Sequence, residues 1–524
     1  MKKVARVFFI ILCLLFALFI MKYPLHVTAS PLTWTVNDDA LPAANFTKIQ
    51  DAIDVASSDD IIFVYAGTYY ENIVVNKSVT IIGEDRNFTI IDGAKNGTVV
   101  FIKANSVTME GFTIRNSGAY PYVGVHVERY FFGNVISNNK IINNSEGISV
   151  YSSSDNVISN NIISNNSEGL AISFSINNVV SDNLVISNDN SGIYLYFSGG
   201  NTISGNTLQD NLGGVSAYFS SGNVISNNVI SDNRDGLTID LSSRQNLIYH
   251  NDFDNIYDVR TDPDLVNYWD YIGEGNYWSD YEGQDLNGDG IGDSPHNITE
   301  NNRDNYPLMG MFSTFKIVLS TKTYIVTVVS NSTVTDFEFE IGEETGNKII
   351  SYNVLNANDS IGFSRVMIPL ELMADPYFVL MDGSEIIPTL LNISSESAYL
   401  YFTYLIQNST ISIVSSRTMQ LYFDLLAQYS ALQESLNELN ITFFDLLEDY
   451  SSLLVNYSRL LESFYALNAS YQQHLLDYSL QMENIRSLLY IFAVAIAVFM
   501  VTTVYLSKFA HAKIPPRTET AEGG

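Results

Sequence analysis

The chain has 524 residues, too many for one ordinary domain. With 57 Asp+Glu against 26 Lys+Arg its net charge is −31, so it lacks the basic stripe that nucleic-acid phosphates require. Its single cysteine, Cys13, falls in the first segment, which leaves the rest of the chain without disulfides or thiolate metal sites.

Residues 1–29 open with Lys2, Lys3 and Arg6 before an apolar run from Val7 to Met21. That is the pattern of a secretory leader with a cut after Ala29; an uncleaved anchor is the alternative. In NFTKIQDAIDVA, residues 45–56, Ile49, Ile53 and Ala56 share one face of a short helix. Such a helix is expected to cap the open end of the structure that follows.

From 134 to 255 the chain repeats. Asn recurs at 134, 156, 178, 201, 223 and 246, a period of 22 or 23. A period of this size marks stacked units, each burying its apolar face on the next. Three short strands fit each turn. The first centres on Ile136, Ile158, Val180, Ile203, Ile225 and Ile248. The second centres on Ile141, Ile163, Val185, Leu208, Ile230 and Phe253. The third follows Gly147, Gly169, Gly192, Gly214 and Gly236 and points Ile148, Leu170, Ile193, Val215 and Leu237 inward. The predicted fold is mainly β, a triangular parallel β-helix over 30–255. Roughly nine coils from Asp60 onward, at ~4.8 Å each, give a prism ~40 Å long. Further Asn columns at 139, 161, 183, 206, 228, 251 and at 144, 166, 188, 211, 233 mark the corners. Asn is read there as the residue that tolerates a left-handed turn and as the rung of an amide ladder.

The stretch AGTYYENIVVNKSVTIIGEDRNFTIIDG, the NxIxxNxI coils and GNYWSDYEGQDLNGDGIGDSPHNI resemble the NosD-like right-handed β-helix proteins. These lie within the wider group of carbohydrate-binding and sugar-hydrolase β-helices. The resemblance covers roughly residues 40–310. It implies a right-handed coil and an extracytoplasmic location. Some relatives cleave polysaccharide, others are accessory or adhesive, and the bacterial ones assist copper-site maturation. The residues here offer copper little, with few His and no Met–His cluster.

Residues 256–310 leave the repeat. Tyr268, Trp269, Tyr271, Tyr277, Trp278 and Tyr281 are expected to lid the open end, with a sugar-stacking platform as the alternative. Residues 311–415 read as a β-sandwich of spacer or adhesive type. A similar module accompanies NosD-like coils in archaeal surface proteins. Over 416–486, Leu425, Leu432, Leu439, Leu446, Leu453, Leu460 and Leu467 recur every seven residues beside a second row, Tyr429, Leu436, Phe443, Tyr450, Tyr457, Phe464, Tyr471 and Tyr478. This heptad pattern predicts a coiled-coil-like stalk, ~95 Å if it is one rod, open to homo-oligomers. A helix folded back on a neighbour is the competing reading. Residues 487–507 carry no charge and can span a bilayer, and Lys508, Lys513 and Arg517 place the tail 508–524 in the cytoplasm. Fourteen Asn-x-Ser/Thr sequons lie between leader and anchor, among them Asn45, Asn76, Asn87, Asn297, Asn331 and Asn392.

The most specific site pattern is DLNGDGIGD. Asp285, Asn287, Asp289, the Ile291 carbonyl and Asp293 have the first-half spacing of a calcium loop, around a turn at Gly290. Position twelve is His296, so Asp304 is the candidate for the missing carboxylate. A structural Ca2+ is expected there; a plain Asp/Asn/Gly turn is the alternative. Asp210 and Asp232 share a corner in adjacent coils, beside Glu146, Glu168 and Asp235. A solvated acidic corner is the expected reading; at ~4.8 Å such carboxylates could alternatively bridge a cation or line a glycan groove, or serve a hydrolase or lyase. Taken together, the chain reads as a membrane-anchored surface protein. Its flanks, with Tyr151, Tyr194, Tyr196 and Tyr218, meet a glycan or an envelope partner. A polysaccharide-cleaving enzyme and a purely structural envelope component are the alternatives.

Overall fold

A computed structural model describes residues 30–39, 42–355, 361–405, 408–454 and 460–506. The leader with Cys13 and the tail 508–524 lie outside the described residues. Two compact units divide the chain, 1–420 and 421–524.

The first unit opens with the expected solenoid. Three parallel sheets of ten, ten and nine strands wind together, each strand pairing with its equivalent one coil on. The predicted rows are the observed registers: Ile136 pairs with Ile158, Ile163 with Val185, Ile193 with Val215. All are fully buried, because alternation sends every second side chain into the dry interior. Burial of each such side chain contributes about 1.5–3 kcal/mol. There are about ten coils rather than nine. Thr33–Val36 opens the first sheet and Tyr277–Trp278 closes the second. Both stand outside the 22-residue period: the capping helix follows the former, and the latter lies in the irregular aromatic segment.

That helix, α1 (Ile49–Val55), packs on the first strands and buries Ile49, Ala52 and Ile53. The Glu71 carboxylate accepts from the N–H groups of Ile49 and Gln50 at 2.9 and 3.0 Å, a negative charge at the positive end of the helix. At the other end Trp269 and Trp278 are buried, and Trp278 stacks on Phe253 at 4.6 Å. They close the solenoid as expected.

Residues 311–415 form two five-stranded antiparallel sheets. Val326, Val366 and Phe402 of one meet Ile350, Tyr352 and Ile413 of the other in a single core, which makes a sandwich. It docks on the last coils. The His250 ring stacks on Phe312 at 3.9 Å, and the Phe312 N–H donates to the buried Asp252 carboxyl. Glu274 joins His250 at 2.8 Å to Arg365 at 2.6 Å. Burial alone would raise the Glu274 carboxyl, but these partners bring it down to about 2.

The second unit departs from a single rod. Helix α2 (Arg417–Leu454) and helix α3 (Leu460–Leu506) meet where the Phe443 ring stacks on Tyr471 at 4.9 Å. On one straight helix, at 1.5 Å per residue, these rings would stand ~42 Å apart. The chain therefore doubles back, the competing reading of the heptads. Tyr429, Leu436, Phe443 and Tyr471 are half-buried, whereas Leu432, Leu439 and Leu446 are exposed. Leu446 and Leu467 line a cavity together with Phe443 and Tyr471. Among the described residues no helix is long and apolar enough to cross a membrane; the side chains of 497–506 lie outside the description.

Candidate functional site

The Asn columns run through the solenoid wall, not over its outside. Asn183 is typical: its Oδ1 accepts from the backbone N–H and Nδ2 of Asn161 at 2.9 and 3.0 Å, and its own Nδ2 donates to the Ile158 carbonyl and to Asn206 Oδ1. The ladder residues are buried. Each column therefore satisfies backbone groups that the corners would otherwise orphan. The left-handed position is one residue earlier than the sequence suggests. Asn138, Asn160, Asp182, Gly205 and Asn227 take φ of 54 to 68° directly before the ladder Asn. Asn, Asp and Gly suit that backbone, and the residue after it turns inward.

This explains Asp210 and Asp232. Both are left-handed corner residues, at φ 54 and 57°, and both are exposed. Asp232 accepts from Gln209 at 3.0 Å. Corner geometry accounts for their residue type.

The outer face of the third sheet differs from the other two. Tyr151, Tyr194, Tyr196 and Tyr218 all point outward there, as their alternation with Val150, Ile193, Leu195 and Ala217 requires. At the edge of this face stands a row that sequence reasoning missed, Phe174, Phe197 and Phe219. Successive rings stack at 5.2 and 4.5 Å, and Tyr151 and Tyr196 meet Phe174 edge-on. The signal was visible as an aromatic at the repeat interval in SFSIN, YFSGG and YFSSG. All three phenylalanines have left-handed φ, 53, 48 and 52°, and are 47, 45 and 38% exposed. A bulky side chain in that conformation costs about 1 kcal/mol or more, and exposing the ring forfeits its burial as well. Mutual stacking offsets part of that cost.

At the start of the same strands Glu146 and Glu168 pair in register. One carboxyl oxygen of each is buried without a hydrogen-bond partner. Burial pushes both carboxyls up to about 7. The charge of Glu146 adds to the rise at Glu168, and Ser149 and Ser191 oppose it. Two carboxyls this close favour holding a proton near neutral pH. Next to them Ala171, Ser173 and Ser216 keep the face shallow between the tyrosines.

The carboxylates of the 285–293 loop are spent on the loop's own N–H groups, while its backbone is tied to Pro307 and Met309. Asp285 accepts from the N–H groups of Gly288, Asp289 and Gly290. Asp289 accepts from Ile291 N–H and Asn287, and Asp293 accepts from Leu286. Asp304 is engaged elsewhere. It is buried, ends the second amide column by accepting from Asn276, and takes the Trp278 indole N–H at 2.9 Å. Burial raises it to about 6. Among the described residues no group of three His, Cys, Asp or Glu side chains is gathered to hold a metal ion.

A family model described as "Periplasmic copper-binding protein (NosD)" matches residues 53–283. A "Cell surface glycoprotein" of Methanothermus fervidus is 42% identical over 101 residues, which are 19% of this chain and 16% of that relative's length. Among solved structures, the complex of XylC with xylose covers 45% of this chain and 70% of its own, at 10% identity and a TM-score of 0.36. DFA-IIIase from Arthrobacter chlorophenolicus A6 in complex with GF2 covers 46 and 79%, at 15% identity and 0.36. The A-module of the Azotobacter vinelandii mannuronan C-5 epimerase AlgE6 covers 44 and 88%, at 15% identity and 0.30. At these scores the overlaps say nothing about activity.

Proposed function

Residues 53–283 form a NosD-like parallel β-helix, and from that premise we propose that the protein stands on the cell surface and holds a glycan against the outer face of the third sheet. Surface display is supported by the matched segment of a cell surface glycoprotein and by the leader-like and anchor-like stretches 1–29 and 487–507. In this reading 487–507 crosses the membrane and 508–524 is cytoplasmic. Glycan binding is carried by one observation: three superposed phenylalanines kept exposed in left-handed corners beside four outward tyrosines. Such rings offer apolar surface to sugar C–H groups, while the tyrosine hydroxyls and neighbouring serines can bond to sugar hydroxyls.

On an array of immobilised polysaccharides the intact protein is expected to bind. The double change Tyr196→Ala, Phe197→Ala is expected to weaken binding about tenfold or more, with melting unchanged. Undiminished binding by that variant would move the ligand to another face, and an array with no bound glycan would remove the reading. The partly protonated Glu146–Glu168 pair favours one other reading, a polysaccharide hydrolase. Reducing-end release that disappears in Glu168→Gln would establish it. Ordered self-assembly with no sugar bound would instead make the chain an envelope component.

Calcium at Asp285, Asn287, Asp289, Ile291 and Asp293 is proposed only as a stabiliser of the C-terminal cap, without Asp304. The intact protein is expected to melt several degrees higher in calcium than in chelator, by the mass-action gain of a ligand that binds only the fold. Superimposable melting curves would take the ion out of the account.

A further inference from the structure

Two adjacent coils carry the same pentapeptide, Asn-Asn-Ser-Glu-Gly, at 143–147 and 165–169. In each, the first Asn takes the left-handed corner, at φ 57 and 54°, and is exposed. The second turns inward, Asn144 bonding to Asn166 and Asn166 to Asn188. The Ser stands two residues after the exposed Asn, which completes a sequon in both coils. Glu146 pairs with Glu168, so the two corners are superposed ~4.8 Å apart. Among the described contacts the Asn143 amide makes no hydrogen bond, and that of Asn165 makes only a 3.4 Å approach to Ser164 Oγ.

We propose that Asn143 and Asn165 are N-glycosylation sites whose two glycans stand side by side along the edge between the second and third sheets. The inference rests on the exported location proposed above. Two other sequons have amides already committed to the fold. Asn331 donates to the Ile361 carbonyl at 3.0 Å and accepts from Phe363 N–H at 2.9 Å, and Asn45 accepts from Thr35. At the Asn143 corner the following coils carry Ser187, Asp210 and Asp232, none of them an acceptor. The sugar row therefore stops short of the coils of Tyr194, Tyr196 and Tyr218, and that half of the third-sheet face stays open. In the transfer, Asn Nδ2 forms a bond to the anomeric carbon of a lipid-phosphate-linked oligosaccharide. The bond from that carbon to the phosphate oxygen breaks, the phosphate leaves with the electron pair, and the amide proton passes to base.

The test is glycopeptide mass spectrometry on the full chain isolated from the cells that make it. Sugar is expected on Asn143 and on Asn165. Ser145→Ala and Ser167→Ala, which leave both corner residues in place, are each expected to lower the intact mass by one glycan. Bare Asn143 and Asn165 beside a modified Asn297 would overturn the proposal and leave the exported location standing. Bare asparagines at every sequon would overturn both.

Discussion

Asn183→Ala is expected to cost the β-helix about 3–5 kcal/mol, an effect measurable as a lowered urea midpoint. The change removes four hydrogen bonds. Two of the groups released have other partners: Asn161 Nδ2 keeps the Ile136 carbonyl, and Asn206 Oδ1 keeps the Asn183 N–H. The Ile158 carbonyl stays in the ladder between its strand and the next, but the Asn161 N–H has no other partner; such an orphan in a dry wall costs about 1–3 kcal/mol, and the other bonds lost add about 0.5–1.5 kcal/mol each. Loss of side-chain volume adds to this. Because each coil touches only its neighbours, the break should also uncouple the halves on either side, and the transition should broaden. The comparison is Asn160→Gly at an exposed left-handed corner, where glycine is at home and the change should stay within about 0.5 kcal/mol. Equal losses from the two variants would mean that the amide columns do not hold the coils together.

The second large effect is on pH dependence. In Glu146 and Glu168 the folded state binds protons more tightly than the unfolded chain, whose carboxyls titrate near 4.5. Their contribution to stability is therefore complete below about pH 4.5 and is lost as pH rises through about 7. Each tenfold difference in proton affinity between the two states corresponds to about 1.4 kcal/mol. The double variant Glu146→Gln, Glu168→Gln should therefore gain about 3 kcal/mol or more over the parent at pH 8, and close to nothing at pH 4. Asp252, Asp258 and Asp304 are also raised by burial, so both proteins share part of the slope. The difference between the two denaturation series isolates the pair. Parallel curves would show that the two carboxyls titrate as solvated groups.

The core was legible because a 22-residue period writes the same register many times. Ile158 and Val180 must superpose if Asn156 and Asn178 do. The offset of the left-handed residue was not, because at several corners, as at Asn138–Asn139 and Asn160–Asn161, two asparagines stand together and composition cannot say which one bends the chain. The phenylalanine row was hidden for the opposite reason. Backbone preference places no bulky ring in a left-handed corner, so a propensity reading passes over it. Asp304 looked like a calcium ligand because the ladder spacing stretches in the cap, to 25 residues from Asn251 to Asn276 and 28 from there to Asp304, and the column no longer shows as a repeat. The heptads run on through both α2 and α3, so the pattern alone fits a rod and a pair of facing helices.

The amide columns also have a polarity. From rung to rung the backbone N–H and one Nδ2–H always pass to the amide oxygen of the next coil, so the side-chain dipoles add along the axis, negative toward α1 and positive toward the tryptophans. At that positive end the second and third columns finish on carboxylates, Asp304 and Asp258, which accept and have no N–H to pass on. Anions suit the site electrostatically and terminate the relay chemically. A stacked fold of identical rungs is by nature a template for its own continuation, and in this chain two of the three columns end on side chains that cannot donate to a further rung.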